Sequence, residues 1–262
     1  HMLPLRKYDS SVMLTEEGLE SMSLNRILLN VDSMILGAKT RHRREVLRRL
    51  TSDAEIRVDK KTTVTSPGFA GSGTGDNVFS GNYPDGTALP NSYTLYFRVA
   101  SGSLSAGLKA AVAELRRWQV GPFDLIGPQA QIDAIVALGA PDFIAAGSEL
   151  IRQGSGTAEA QVDPNQYVGV FDKDVRVRKP ILDYSDANIT IYKSFGNLNP
   201  RNPLAWRYDE QRGRGAFVRS RSLYPLDQAV LLQYFGIGVN NRTAVANIRV
   251  AGSGGYVAPT FS

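Results

Sequence analysis

Apolar residues recur at Leu24, Ile27, Leu28, Val31, Ile35 and Ala38 with the spacing of one helix face, and the register continues through Val46 and Leu50. The spacing predicts one helix from Leu24 to Leu50, about 40 Å long at the usual rise per residue, apolar in its front half and basic in its back half. Gly37 and Thr40 lie inside it. A glycine there costs about 1 kcal/mol against alanine, so the pattern alone leaves the continuity of the helix open. From Ala54 to Ala100 the period drops to two, with Ile56, Val58, Thr62 and Val64 on one side and Tyr93, Leu95, Phe97 and Val99 on the other. Between them Ser66 to Pro90 is dense in Gly, Ser, Asn, Asp and Pro and reads as a long polar loop flanked by two strands. Such a loop is out of place in a compact monomer and makes sense if a neighbouring subunit orders it.

Helical spacing returns at Leu104, Leu108, Ala111, Val112 and Leu115, with Ser103 placed to cap the helix, Trp118 as its end and Gly121-Pro122 as the stop. Phe123 to Ile126 reads as a short buried strand. Gly127-Pro128 then opens a second helix through Leu138, which Gly139 terminates. A further helix is expected from Pro141 to Gln153. The remainder is β-rich: Tyr167 to Phe171, Val175 to Arg178, Ile189 to Tyr192, Phe217 to Ser222, Ala229 to Phe235 and Val245 to Val250. The class is α+β, without an internal repeat.

Composition adds exclusions. The chain of 262 residues, 42% hydrophobic and 21% charged, is long enough for a substantial core. It contains no cysteine, which removes disulfides, thiolate metal sites and cysteine nucleophiles. No apolar run approaches the roughly 20 residues of a membrane helix, and no signal-peptide pattern opens the sequence. His1-Met2 reads as a cloning remnant ahead of an internal start, so residues upstream are expected to be missing. The net charge is +5. Arg41, Arg43, Arg44, Arg48 and Arg49 cluster on the predicted helix against Glu45 alone, and a second basic group comprises Arg201, Arg207, Arg212, Arg214, Arg219 and Arg221. The first cluster fits either phosphates or the acidic residues of a neighbour; the second is read as a solvated, charge-paired surface.

The order of elements resembles the tailed-bacteriophage major capsid protein family and the encapsulin shells that share its fold. The resemblance is carried by the long basic-ended helix, the Gly-Ser-rich excursion, GPFDLIGPQAQIDAIVALG, QYVGVFDKDVRV, NITIYKSFG and AFVRSRSLYPLDQAVLL, and it spans Leu24 to Val250. It implies a phage major-capsid-like fold with a long spine helix over Leu24 to Leu50, a peripheral helix and sheet domain that Phe123 to Leu138 would supply, a late strand over Phe217 to Pro225, and an axial α/β domain drawing on Ala140 to Phe195. The segments then divide as 1–23, an N-terminal piece or shortened arm; 24–139, spine, long hairpin and peripheral elements; 140–235, axial elements and return strands; and 236–262, a C-terminal strand and tail. Family members carry an N-terminal arm and an extended hairpin before the spine helix. Here only Leu3 to Ser23 precede it, so either those parts are missing or the Ile56 to Val99 hairpin takes that role. No lysine and asparagine pair for an inter-subunit cross-link is identified.

Catalytic equipment is sparse. His42 is the one internal histidine and sits among five arginines, where its pKa should fall and a cationic intermediate would be repelled. GFAGSGTGD has neither the Gly-Lys-Ser/Thr ending of a phosphate loop nor a G-x-G-x-x-G spacing, and the glycine runs at Gly213 and Gly236 fail in the same way. Asp172 and Asp174, read as two apart on a strand and so facing one side, could join Asp183, Asp186, Asp209 and Glu210 in an acid/base or metal cluster. Lys173, Arg176, Arg178 and Lys179 beside them favour charge pairing at a subunit contact instead. Trp206, Arg207, Arg212 and Arg214 form an aromatic-basic tract that fits an interface better than a nucleic-acid strand.

These readings converge on a non-enzymatic shell subunit without cofactor or metal. Its expected partners are copies of itself in pentamers and hexamers, packaged double-stranded DNA, and scaffold or portal proteins, with no membrane; its expected place is the virion capsid, assembled in the host cytoplasm. An encapsulin-type shell, a surface carbohydrate-binding module and a carboxylate-dependent hydrolase stand as alternatives.

Overall fold

The computed structural model describes residues 6–15, 23–51, 56–57, 65–66, 96–146, 167–179, 187–196, 199–208, 217–223, 226–251 and 259. Helix α1 (Leu24–Thr51) is continuous through Gly37 and Thr40, because tertiary packing on its back half outweighs the cost of one glycine. It lies along a four-stranded antiparallel sheet whose centre is the fourteen-residue strand β12 (Leu226–Val239). The ten-residue β1 (Arg6–Thr15) pairs along one edge of β12, from Arg6↔Phe235 to Thr15↔Leu226. Along the other edge β10 (Leu204–Tyr208) and β11 (Phe217–Leu223) follow one another.

The contact between α1 and β12 is registered. Met34 and Ala38 pack on Leu231, His42 lies against Phe235, and Leu47 and Leu50 cluster with Val239 and Val245. Eight helical residues advance about 12 Å and four strand residues about 13 Å, so the two elements stay in step over their common length. The odd-numbered side of β12 supplies all three contacts, as the period of two requires.

The second sheet has seven strands in the order β4 (Tyr96–Val99), β13 (Val245–Val250), β9 (Asn188–Tyr192), β5 (Phe123–Ile126), β8 (Val175–Arg178), β7 (Tyr167–Phe171) and β6 (Phe143–Ala145). It draws strands from the 24–139, 140–235 and 236–262 segments alike. One face, with Phe123, Leu125, Val175, Val177, Ile189, Ile191 and Ile248, is covered by α2 (Leu104–Trp118) and α3 (Gln129–Val136) to make the main core. The buried stripe of α2 is Leu104, Leu108, Ala111, Val112 and Leu115, as its spacing predicts. Gly107 is needed inside α2 because a Cβ there would collide with the Val99 side chain of β4. Gly139, at φ +60°, turns the chain after α3. The opposite face of the sheet is polar, with Asp124, Arg178, Thr190 and Asn247, and receives the C-terminal end of α1 at Ile126 and Val245.

Several expectations are corrected. The helix predicted from Pro141 begins instead as strand β6, because Phe143, Ile144 and Ala145 find partners in Phe171, Val170 and Gly169; residues 147–153 lie outside the described set. Ser103 precedes α2 but makes no cap bond, its hydroxyl donating back to the Ala100 carbonyl at 3.3 Å. Pro128 stands just before α3 rather than in its first turn, and Leu138 lies beyond its end. Strands β2 (Ile56–Arg57) and β3 (Thr65–Ser66) pair with each other, so Ser66 belongs to a strand rather than the loop. The strand ending at Val99 pairs in parallel with β13. The strand expected over Ala229 to Phe235 is twice as long, and β1 and β10 were not anticipated. The excursion from 67 to 90 lies outside the described residues.

Candidate assembly surface

The five arginines of the α1 cluster do not form one patch. Arg41, Arg43 and Arg48 are exposed, Arg44 is half-buried, and Arg49 is buried at 4% exposure. An α-helix rotates about 100° per residue, so five arginines within nine residues are spread around its circumference. Arg48 lies 3.7 Å from Glu45 one turn earlier, a surface pair worth at most about 1 kcal/mol.

Asp172 and Asp174 are brought together, though not on a strand. They occupy the turn between β7 and β8, where Asp172 (φ 45°) and Lys173 (φ 73°) take left-handed backbone conformations. Such conformations cost about 1 to 2 kcal/mol per non-glycine residue. Arg116 of α2 spans the turn. Its guanidinium donates to Asp172 Oδ2 and to the Asp172 carbonyl, both at 3.0 Å, and to both carboxylate oxygens of Asp174. The hydrogen bond to Asp174 leads the effects that raise the Arg116 pKa. Both carboxylates are thereby committed within the chain. Asp183, Asp186, Asp209 and Glu210 lie outside the described residues, as do Arg212 and Arg214.

Trp206 stacks on His42, with ring centroids 4.6 Å apart and planes 16° from parallel, and Phe235 closes the other contact at 4.8 Å. Burial lowers the His42 pKa; enclosure between aromatic rings, rather than the neighbouring arginines, is the cause. Arg207, next along β10, is half-buried. Beside Trp206 a groove of about 650 Å³ runs between the end of α1, at Leu47 and Leu50, and Ser194, Gly196, Asn199, Asn202 and Leu204. Its asparagines are spent within the chain. Asn202 accepts from the Phe195 amide at 2.9 Å and donates to the Gly196 carbonyl at 2.6 Å. Asn240 donates to the carbonyls of Pro200 and Asn202, and the neighbouring Asn241 to that of Arg201. These bonds tie the described loop residues to one another and leave Leu47, Leu50, Ile126, Leu204 and Trp206 as an apolar part of the groove lining.

Further along the same helix the surface changes character. Leu28, Leu29 and Leu36 are 52%, 67% and 63% exposed, and Val31 and Ile35 are also exposed. Of the apolar helical register, Leu28, Val31 and Ile35 face outward, whereas Ala38, with Met34 beside it, makes the contact with β12. Among the described residues no group of three or more His, Asp or Glu side chains is arranged to hold a metal ion, and no helix is long and apolar enough to cross a membrane.

This architecture matches solved structures over nearly the whole chain. A chain from Mycobacterium phage Patience is 18% identical and superimposes with a TM-score of 0.70 over 98% of this chain and 72% of its own length. The mature capsid of bacteriophage PhiM1 matches with a TM-score of 0.53 at 8% identity, covering 95% of this chain and 72% of that one. The fold is that of phage capsids. An encapsulin complex of Synechococcus elongatus shares it, with a TM-score of 0.52 at 14% identity over 97% of this chain and 76% of that one. No family model matches the sequence, and no curated protein does.

Sequence reasoning missed three residues that organise the described part of this capsid fold. Arg116 looked like one of two adjacent surface arginines at the end of α2. Asn247, inside an apolar strand, and Thr190, inside NITIY, were the available signals: a polar side chain at a strand position predicted to be buried needs a partner.

Proposed function

We propose that this chain is the subunit of a closed protein shell, assembling with copies of itself into pentamers and hexamers of a phage head that encloses double-stranded DNA. The observation that carries the reading is the superposition on the Patience phage chain over 98% of this chain at a TM-score of 0.70, combined with a helix that leaves Leu28, Leu29 and Leu36 in solvent. Exposed leucines on a long helix are costly for a monomer and are the usual mark of an interaction site. The function is structural, and Arg116 occupies the carboxylates that a hydrolase reading would need.

In this reading the glycine-rich segment of residues 67–90 lies on a neighbouring copy, its ordering cost of about 1 to 2 kcal/mol per residue offset by contacts repeated around each ring. Arg41, Arg43 and Arg48 supply charge complementarity to DNA or to acidic residues next door. Arg207, Arg212 and Arg214 take part in subunit contacts. Assembly takes place in the host cytoplasm, with scaffold and portal proteins as further partners. An encapsulin-type shell is the second reading, favoured by the shared fold of the Synechococcus elongatus complex; it differs in cargo rather than in architecture.

The test is size-exclusion chromatography with light scattering at two salt concentrations, with electron microscopy of each peak and a nuclease-protection assay of any particles. Shells holding nuclease-resistant DNA support the head reading, and shells holding protein support the second. A chain that stays monomeric at 28.5 kDa at both salt concentrations overturns both.

A further inference from the structure

The outward face of α1 has a charge order that selects its partner. Leu28, Leu29, Ile35 and Leu36 are exposed there, and between and beyond them stand Asp32 and Lys39, both exposed. No ion pair is formed by either among the described residues. The two charges lie symmetrically about the midpoint between Ile35 and Leu36, each about 5 Å along the axis from it at the usual helical rise. A second helix of the same sequence laid antiparallel across that midpoint therefore sets each Asp32 opposite a Lys39, with Ile35 and Leu36 meeting at the centre.

We propose that this face of α1 pairs with the same face of a second copy across a two-fold axis. Asp32 then meets Lys39 of the partner subunit, and Leu28, Leu29, Ile35 and Leu36 leave solvent together. The arrangement is isologous, and one sequence satisfies both sides of it. The opposite charges select the antiparallel register, since a parallel or slipped pairing brings like charges together or leaves both unpaired. This contact rests on the reading of the chain as a self-assembling subunit and names one of the surfaces through which it assembles.

The experiment uses the whole chain, whose lack of cysteine gives a background-free cross-linking site. Asp32→Lys and Lys39→Asp should each lower the yield of assembled particles about ten-fold, and the double variant Asp32→Lys/Lys39→Asp should restore it to near the wild-type value. Leu36→Cys in assembled protein should give a covalent dimer with a short bismaleimide. Circular dichroism and melting of every variant monitor the fold, which exposed positions leave intact. Wild-type yield from either single reversal, a double variant as defective as the singles, or assembled Leu36→Cys protein that stays monomeric after cross-linking each overturns the seam and leaves the shell reading standing. Wild-type protein that assembles into nothing removes both.

Discussion

Asn247 of β13 donates its side-chain amide to the main-chain carbonyl of Leu50, 3.1 Å away and 197 residues earlier in the chain. Thr190 of β9 completes the bond network by donating its hydroxyl to Asn247 Oδ1 at 2.8 Å. All three residues are buried. An orphan carbonyl at the end of a helix is costly away from water, and here a side chain from the sheet satisfies it, fixing the end of α1 to the polar face of the seven-stranded sheet. Asn247→Ala should destabilise the chain by about 2 to 3 kcal/mol by leaving buried groups unpaired. Asn247→Asp should cost more, because a buried carboxylate would face a carbonyl oxygen. Urea unfolding midpoints measure both, and an unchanged midpoint in Asn247→Ala would refute this account of the joint.

The arginines of α1 should separate by burial. Arg43→Glu and Arg48→Glu alter exposed positions and are expected to move stability by no more than about 0.5 kcal/mol while weakening assembly and its salt dependence. Arg49→Glu places a carboxylate where a buried guanidinium stood and should destabilise by about 3 kcal/mol or more. Thermal melts and particle yields, compared for the three variants, check the division.

His42 makes stability depend on pH. Burial holds its folded pKa below the ordinary value of 6.5, so on acidification the unfolded chain takes up a proton before the folded one does. The contribution is full above about pH 6.5 and is lost as the pH falls from there toward the folded pKa. His42→Phe keeps an aromatic ring between Trp206 and Phe235 and should flatten the stability profile between about pH 7 and about pH 5. Denaturant titrations of both proteins across that range give the difference directly; parallel profiles would rule His42 out.

Two helical glycines should respond in opposite ways. A Cβ at Gly37 meets nothing within 4 Å, so Gly37→Ala is expected to stabilise by roughly 0.5 to 1 kcal/mol. At Gly107 the Cβ meets Val99 of β4, and Gly107→Ala should destabilise by about 1 to 3 kcal/mol through overpacking. Melting curves of the pair provide each other's control.

The local pattern made α2 and the extent of α1 legible, because each carries a helical periodicity that its own residues complete, and it marked β5 as a short apolar run between Gly-Pro steps, while the continuity of α1 through Gly37 came from the structure. Strand β10 was not legible: Leu204 to Tyr208 are all half-buried, so no alternation marks them, and their pairing partner lies more than 25 residues away at Phe235 to Val239. The parallel pairing of β4 with β13 is likewise a long-range choice that neither strand announces. What covers α1 was not legible for a different reason. Periodicity reports that a face is apolar but not what covers it, and of that register Ala38 meets the sheet beside Met34 while Leu28, Val31 and Ile35 stay in solvent. Asp172 and Asp174 were correctly placed side by side, yet their flanking valine and phenylalanine disguised a turn that Arg116 holds from another element.

The position of β13 also sets the order in which the protein can be made. Strand β4 has its only described neighbour in β13, and β13 stands between β4 and β9. On a ribosome, the seven-stranded sheet stays open until Val250 has emerged, and the end of α1 waits equally long for Asn247. A chain still in synthesis thus lacks its finished shape until translation has passed that point.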